Sequence, residues 1–390
     1  MRKEVISLSQ LFQISRIEMY KLSQSTFKKI NIISISFLIT FGILLNLSAS
    51  SVRGMNLYND NFHLIKRHMA AIIIGLLIFN IGKKINNENY KKLASTGMFT
   101  ISVILFLVLT YGVVAGGSRR WINLGDVYFQ PSEFAKPIII LFVAYHLSNL
   151  EINKSDFYNL KKTLILPALS CVLILLEPDF GTTLIISGII LFQLLFSEVK
   201  LRYPIGIIAI SPLPIYFAIN LMGYRESRFV TWFSKICEGT NVDPVDLAGR
   251  CYQLHQSKVA ISSGGLFGLG PGTSRARWGS LPNSWSDFIA SIAGEEYGFF
   301  GLLILIIALM LLIISFFGLG LTSNTEFSRL LFVGMGSWVL IQTVFNLGGI
   351  VGLLPITGIV LPFIAYGGSA MVAIFIGLTI SYSQEKADEL

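Results

Sequence analysis

Charge is what this sequence has least of. Only 13% of its 390 residues are Asp, Glu, Lys or Arg, against about 25% in a soluble domain. That is too little to cover a water-facing surface. With 53% hydrophobic residues and a mean hydropathy of +0.67, lipid is the expected solvent for most of the chain. Cysteine (three) and histidine (four) are also scarce, and neither a CxxC nor a His-rich metal pattern is present. No dinucleotide fingerprint or P-loop occurs either. Met1 to Lys29 is polar and basic, with no apolar core before a small-residue cleavage site, so no cleavable signal peptide is expected. Alternating apolar and polar residues are missing from the apolar runs. Since hydrocarbon admits only helices and closed barrels, strands are not expected and the fold class is an all-α polytopic membrane protein.

About 20 apolar residues cross the hydrocarbon as a helix. Ten candidate spans lie near Ile30–Leu47, Met69–Ile81, Leu93–Val114, Pro137–Leu147, Thr163–Leu176, Thr182–Phe196, Pro204–Met222, Phe288–Gly318, Leu330–Val351 and Phe363–Tyr382. Seventeen Lys and Arg residues fall in the N-terminal tail, in alternate loops and at Lys386, whereas the short loops of the other side carry six. The positive-inside rule then puts both termini in the cytoplasm. The expected organisation is a basic cytoplasmic tail over 1–29 and a transmembrane domain over 30–383. A large outer loop of about 223–287 joins spans seven and eight, and a short cytoplasmic tail covers 384–390. The outer loops hold most of the Gly, Pro, Trp and carboxylate clusters.

Four such clusters stand out. In the first, Gly117-Ser118-Arg119-Arg120-Trp121-Ile122 precedes Gln130-Pro131-Ser132-Glu133 and Lys136. Pro131 suits the first turn of a helix, and Glu133 and Lys136 share a helical face and can pair. An interfacial turn with a Trp anchor is one reading; an ion held where a span begins is the functional one. In the second, Glu177-Pro178-Asp179-Phe180-Gly181-Thr182, Asp179 can cap the next helix. The third runs from Tyr252-Gln253 through Ser263-Gly264-Gly265-Leu266-Phe267-Gly268-Leu269-Gly270-Pro271-Gly272 to Arg275, Arg277, Leu281-Pro282 and Asp287. Its glycines suit a nest of N–H groups around phosphate. Asp287 is a lone carboxylate at the mouth of a long span, where a helix dipole favours it. Glu295 and Glu296 lie roughly 12–13 Å further along that helix at about 1.5 Å per residue and are expected to meet basic or polar partners. In the fourth, Gly348 to Ser369, two prolines among glycines at membrane depth read either as a re-entrant element or as a kinked helix. Cys237 and Cys251 share the outer loop, where oxidation is possible; Cys171 lies in a span.

Together the clusters resemble the SEDS family of shape, elongation, division and sporulation proteins. The matching pieces are Gly-x-x-Arg-Trp-Ile, Gln-Pro-Ser-Glu-x-x-Lys, Pro-Asp-x-Gly-Thr, Tyr-Gln, Gly-Gly-x-x-Gly-x-Gly and Leu-Pro-x-x-x-x-Asp-Phe-Ile. Glu-Glu-x-Gly and Leu-Pro-x-x-Gly-x-x-Leu-Pro-x-x-x-Tyr-Gly-Gly-Ser complete the series, in order from Gly117 to Ser369. Gly-Pro-Gly-Thr-Ser and Ser-Asp-Phe-Ile look more like the division member than the elongation member. Trp285-Ser286 and Ala365 depart from the usual pattern.

The resemblance implies peptidoglycan glycosyltransferase activity on lipid II at the outer face of the cytoplasmic membrane, with the family's essential aspartate at Asp287. One inverting displacement needs one base, which is Asp287, and cations for the departing diphosphate. Arg120 and Lys136 lead that set; Arg275 and Arg277 follow a Gly-Pro-Gly turn and are expected to be screened by solvent. Substrate contacts are expected from Arg120, Glu133, Lys136, Arg275, Arg277 and Ser369. A divalent cation, Mg or Mn, is an expected helper, and no organic cofactor is expected. The implied partners are lipid II, membrane lipid, a class B penicillin-binding transpeptidase and other division proteins, not nucleic acid. A lipid II flippase is the rival reading, which would need internal repeats and polar residues at both faces.

Overall fold

In a computed structural model the described residues are 24–85, 87–115, 118–123, 125, 128–150, 155–210, 231–232, 234–237 and 242–383. Most of the tail over 1–29 and all of 384–390 lie outside them, although residues 24–29 already belong to the first helix.

The chain forms helices α1 (Gln24–Ala49), α2 (Ser51–Tyr58), α3 (His63–Gly82) and α4 (Asn87–Tyr111), followed by three short strands. Helices α5 (Pro131–Ser148), α6 (Asp156–Leu176), α7 (Phe180–Phe196) and α8 (Arg202–Ile210) come next. The long loop contributes α9 (Pro244–Ala248) and α10 (Tyr252–Ser263) before α11 (Ile289–Thr322), α12 (Glu326–Val351) and α13 (Gly368–Ser383). Six of these, α1, α3, α4, α6, α11 and α12, are long and apolar enough to cross a membrane; α7 and α13 are shorter apolar helices. Nine of the ten candidate spans coincide with helices for most of their length, and the seventh, Pro204–Met222, is described only as far as Ile210.

Helix α12 is central. Of its most apolar stretch 78% is buried, against 33% for α1, α3 and α4, and it packs on α5, α7, α10, α11 and α13. Lipid tails are as apolar as leucine, so polar pairs and close packing must hold such a bundle. The Nε2 of Gln193 donates to the carbonyls of Ile140 (2.9 Å) and Leu330 (3.2 Å), joining α7, α5 and α12. Asn31 on α1 donates to Ser315 on α11 and accepts from Tyr382 on α13, each at 2.8 Å.

The fold is helical as expected, with one small addition. β1 (Val113–Ala115), β2 (Ser118–Asn123) and β3 (Tyr128–Phe129) form an antiparallel sheet in that order. The rule that only helices and closed barrels span lipid applies inside hydrocarbon; this sheet begins beyond the end of α4, where the rule has no hold.

Two places interrupt the helices. Residues 352–367, between α12 and α13, are non-helical, which settles the fourth cluster as an irregular segment rather than a kinked helix. Its stretch Leu361–Ala365 is buried. The last candidate span therefore starts as a helix only at Gly368.

The second break is inside α11, where Gly298 adopts φ 67°, ψ −163°. Such a break strands carbonyls on one side and N–H groups on the other. The Gly-rich loop takes up two of each. Leu269 and Gly270 donate to the carbonyls of Glu295 and Glu296, both at 3.0 Å, while Phe299 and Phe300 donate to those of Gly265 (2.9 Å) and Leu266 (3.1 Å). A Cβ on Gly298 would fall 2.6 Å from the Leu266 carbonyl. The side chains complete the splint. Glu295 accepts from Ser274 Oγ (2.5 Å), Arg275 N (2.9 Å) and Ala276 N (3.2 Å); Glu296 accepts from Ser48 Oγ and Ser274 N. The expected partners of the two glutamates are thus hydroxyls and backbone amides. The phosphate-nest reading of the loop is overturned, because the N–H groups of Leu269 and Gly270 are turned to the helix and the glycines serve close approach.

The disulfide left open by the sequence is formed between Cys237 and Cys251, with their Cα atoms 5.4 Å apart. It ties Cys237 to the start of α10. Ser257 on α10 in turn bonds Ser291 of α11 and the Ile350 carbonyl of α12, both at 2.8 Å. The described part of the long loop is therefore a cap fastened to the bundle.

A test separates splint from loop. Gly265 is also left-handed (φ +55°) but has nothing within 4 Å of its Cβ position, so Gly265→Ala is expected to cost about 1–2 kcal/mol. Gly298→Ala must in addition displace the loop backbone and is expected to lower the melting temperature of the purified protein much further. Equal shifts for the two variants would refute the splint.

Candidate active site

Asp287 lies one residue before Phe288–Ile289, the N-cap and first residue of α11, and is half-buried. Its main chain is held from the centre of the bundle. Asn346 of α12, itself buried, donates from Nδ2 to the Asp287 carbonyl and to the Ile359 carbonyl, both at 2.7 Å. The same amide thus fixes the aspartate and the irregular segment together. Between those anchors Gly358 (φ +77°) stands against the carboxylate: a Cβ there would lie 3.6 Å from Asp287 Oδ2. The segment has further ties. Asn46 of α1 donates to the Ile364 carbonyl (2.6 Å), Tyr366 N to the Trp285 carbonyl (3.1 Å) and Trp232 Nε1 to the Gly352 carbonyl (3.3 Å). Trp285, two residues before Asp287, carries the Arg53 guanidinium 5.1 Å from its ring centroid.

The second cluster meets the same segment. Asp179 caps α7, accepting from Thr182 N (3.2 Å) and Thr182 Oγ1 (2.9 Å). Two residues on, the Cβ position of Gly181 lies 3.3 Å from the Thr357 carbonyl and 3.1 Å from Ile359. Arg120, on β2, clamps this turn. It donates to the carbonyls of Glu177 (3.3 Å) and Pro178, and its Nη1 lies 3.8 Å from Asp179 Oδ1. The sheet missed by sequence reasoning is what delivers Arg120 to the turn. Thus Arg120, the Glu-Pro-Asp turn, Thr357–Ile359 and Asp287 form one continuous wall.

Glu177 was read only as part of a turn. It is fully buried, and neither carboxylate oxygen has a hydrogen-bond partner. Burial first, and Asp179 beside it second, push this carboxyl up to about 8, with Arg120 pulling the other way.

Glu133 and Lys136 do pair, at 2.7 Å, as their spacing on α5 implies. Lys136 is 1% exposed and its ammonium lies 5.4 Å from the Trp338 ring centroid. That corrects its expected role: an ammonium enclosed by its carboxylate and an indole has no face for a diphosphate here. Glu133 instead lines a small cavity with Trp338, Gln342 and Leu361–Phe363, so the pair sits against the irregular segment.

Of the remaining expected contacts, Arg277 and Ser369 bond within the protein and Arg275 is exposed. Arg277 is half-buried, and its guanidinium donates to Ser48 O (3.2 Å), Ser48 Oγ (2.9 Å) and Gly272 O (2.6 Å), so the picture of a solvent-screened cation fails for it. Ser369 Oγ accepts from Gln130 N (3.2 Å) and donates to Tyr128 O (3.4 Å), latching the first turn of α13 to the start of α5. Among the described residues no group of three or more His, Cys, Asp or Glu could hold a metal ion. Among them the donor set does not fit a protein-held metal.

Fold and site define a polytopic helical membrane protein in which a half-buried carboxylate near the head of one long helix is held at its main chain. The chain belongs to the cell cycle protein family of FtsW, RodA and SpoVE, whose profile matches residues 29–388. The probable peptidoglycan glycosyltransferase FtsW of Bacillus subtilis is 32% identical over 378 residues, covering 91% of each chain. That of Wigglesworthia glossinidia brevipalpis is 32% identical over 348 residues, covering 87% of this chain and 88% of its own. Among solved structures, a chain of a peptidoglycan synthase complex superposes with a TM-score of 0.72 at 24% identity, covering 92% of this chain and 97% of its own. The Thermus thermophilus rod shape determining protein RodA does so at 0.66, with 24% identity and coverage of 92% and 96%.

Two experiments probe the site's electrostatics. Removing one partner of a buried ion pair typically costs about 3–5 kcal/mol. Glu133→Ala and Lys136→Ala are expected each to destabilise the protein strongly, and the double variant by far less than their sum. Additive losses in thermal or denaturant unfolding would show that the charges do not interact.

Glu177 gives a pH signature. Its folded value, about 8, lies above the ordinary 4.5, so the folded state binds the proton more tightly than the unfolded state. Stability must fall as pH rises through that window. Glu177→Gln, neutral throughout, is expected to match the parent protein near the lower end and exceed it in melting temperature near the upper end. A gap that does not change with pH would mean that the folded carboxyl is ionised.

Proposed function

We propose that this protein polymerises lipid II into glycan strands at the outer face of the cytoplasmic membrane, with Asp287 as the general base. One observation carries the reading. The carboxylate at the head of α11 is fixed at its main chain by Asn346 and framed by the Thr357–Ile359 turn and the Arg120-bound wall. The relatives named peptidoglycan glycosyltransferase support the reaction, and their naming as FtsW supports the division member over the elongation member.

In the reaction the acceptor sugar hydroxyl attacks the anomeric carbon of the donor. Asp287 takes the hydroxyl proton, a β-1,4 bond forms, and the bond from the anomeric carbon to the undecaprenyl diphosphate breaks with inversion. Base catalysis of this kind contributes about 10²–10⁴-fold. The departing diphosphate gathers negative charge, which fixed cations stabilise. Arg120, Arg275 and Arg277 are the candidates for this, since Lys136 is enclosed. Ser369, Glu133 and Lys136 support the site by holding α5, α13 and the irregular segment in place. A Mg or Mn ion enters this reading only as a companion of the substrate's diphosphate.

Both termini are cytoplasmic in this reading, so the cap over Asp287 faces outward, and the septum is the expected address. A class B penicillin-binding transpeptidase is the expected partner. Its support is the similarity to a chain of a solved peptidoglycan synthase complex.

The test is Asp287→Asn in purified protein supplied with lipid II, with and without that partner. Glycan polymerisation is expected to disappear while membrane insertion and lipid II binding persist, because the base is lost and the wall is kept. Substantial polymerisation by the variant would falsify the assignment.

A further inference from the structure

The Gly-rich loop ends in an apolar tip. Phe267 is 79% exposed, and Leu266 and Leu269 beside it are exposed as well. Left in water, a side chain such as Phe267 would forgo the about 1.5–3 kcal/mol that burial supplies. The tip continues a larger surface. Phe267 packs on Phe300 with ring centroids 5.3 Å apart, Phe299 packs edge-on against Phe300 at 5.7 Å, and Ile304 and Ile307 prolong the exposed apolar face down α11. The section of α11 beyond the break runs from Phe299 to Thr322. At about 1.5 Å per residue it is roughly 36 Å long, a little more than the ~30 Å of hydrocarbon. Phe299 and Phe300 therefore stand at the boundary between hydrocarbon and headgroups, and the loop tip stands beside them.

Backbone hydrogen bonding on either side of Phe267 agrees with that placement. Non-helical main chain beside lipid is tolerable only if its polar groups are satisfied within the protein. Gly268, Leu269 and Gly270 all donate to protein carbonyls, and Gly265 and Leu266 accept from the helix across the break. Past the tip, Arg275 and Trp278 are exposed, and such amphipathic side chains favour the headgroup level.

We infer that the tip Leu266–Leu269 is a monotopic wedge, inserted among the acyl chains of the leaflet that faces the outer cap and packed on the upper end of the second section of α11. Its occupant is lipid hydrocarbon. The wedge anchors the loop at the same place where Glu295 and Glu296 bind it.

The test uses the full chain with Cys171→Ser and a nitroxide on Phe267→Cys, reconstituted in vesicles of phosphatidylethanolamine and phosphatidylglycerol. Leu266→Cys is the second position should the first variant fail to fold. Ile307→Cys on the α11 face serves as the lipid reference and Lys258→Cys on exposed α10 as the aqueous one. The expected result is that collisions with oxygen exceed those with a water-soluble nickel complex severalfold, as at Ile307. Nickel collisions exceeding oxygen, as at Lys258, would put the tip in water and overturn the inference. Low collision with both reagents would overturn it too, showing a second protein surface over the tip.

Discussion

Everything near Asp287 depends on satisfying main-chain polar groups where no helix satisfies them and water is scarce. Residues 352–367 form such a stretch, and each unpartnered buried group would cost several kcal/mol in lipid-like surroundings. Two asparagine amides, from α1 and from α12, supply donors to Ile364 and Ile359. An apolar helix with one amide in its buried face pays a desolvation penalty, and here that amide is returned as two bonds across the bundle. Because the second bond of Asn346 ends on Asp287 itself, the irregular segment and the aspartate move as one body.

The break at Gly298 follows the same logic with the roles exchanged. There the helix is interrupted and a loop repairs it, with four backbone bonds spanning the gap and two glutamates holding the loop from beneath. Both repairs involve outer-loop or re-entrant segments adjoining the start of α11. Regular helix fills the rest of the described bundle, so the material that can form a shaped polar surface is concentrated at the end where Asp287 lies.

Much of this was legible in the sequence, for reasons that are local. The spans follow from uninterrupted apolar runs, the Glu133–Lys136 pair from a spacing of three on a helix, and the Asp179 cap from its place before an apolar run. Asp287 was singled out as a lone carboxylate at the mouth of a span, and resemblance gave it a role. What escaped depends on partners far away in the chain. Asn46 bonds a residue 318 positions on, and Asn346 reaches back 59 to Asp287; the only signal was an amide standing in an apolar helix. Arg120 could be seen, but its delivery by a strand could not, since a hairpin of a few residues beyond a helix leaves no hydropathy pattern. The glycine-rich loop was misassigned because glycine permits close approach to a phosphate and to a helix alike, and sequence does not say which body approaches.

The manner in which Asp287 is held bears on the reaction proposed for it, because a general base must stand within hydrogen-bond reach of the proton it takes. Asn346 has two Nδ2 hydrogens, and both go to main-chain carbonyls, of Asp287 and of Ile359. It therefore fixes the main chain that carries the carboxyl group and the irregular segment beside it. The base proposed for the reaction and the Gly358 backbone standing against it are thus set by one side chain of the central helix, and loss of that amide would release both at once.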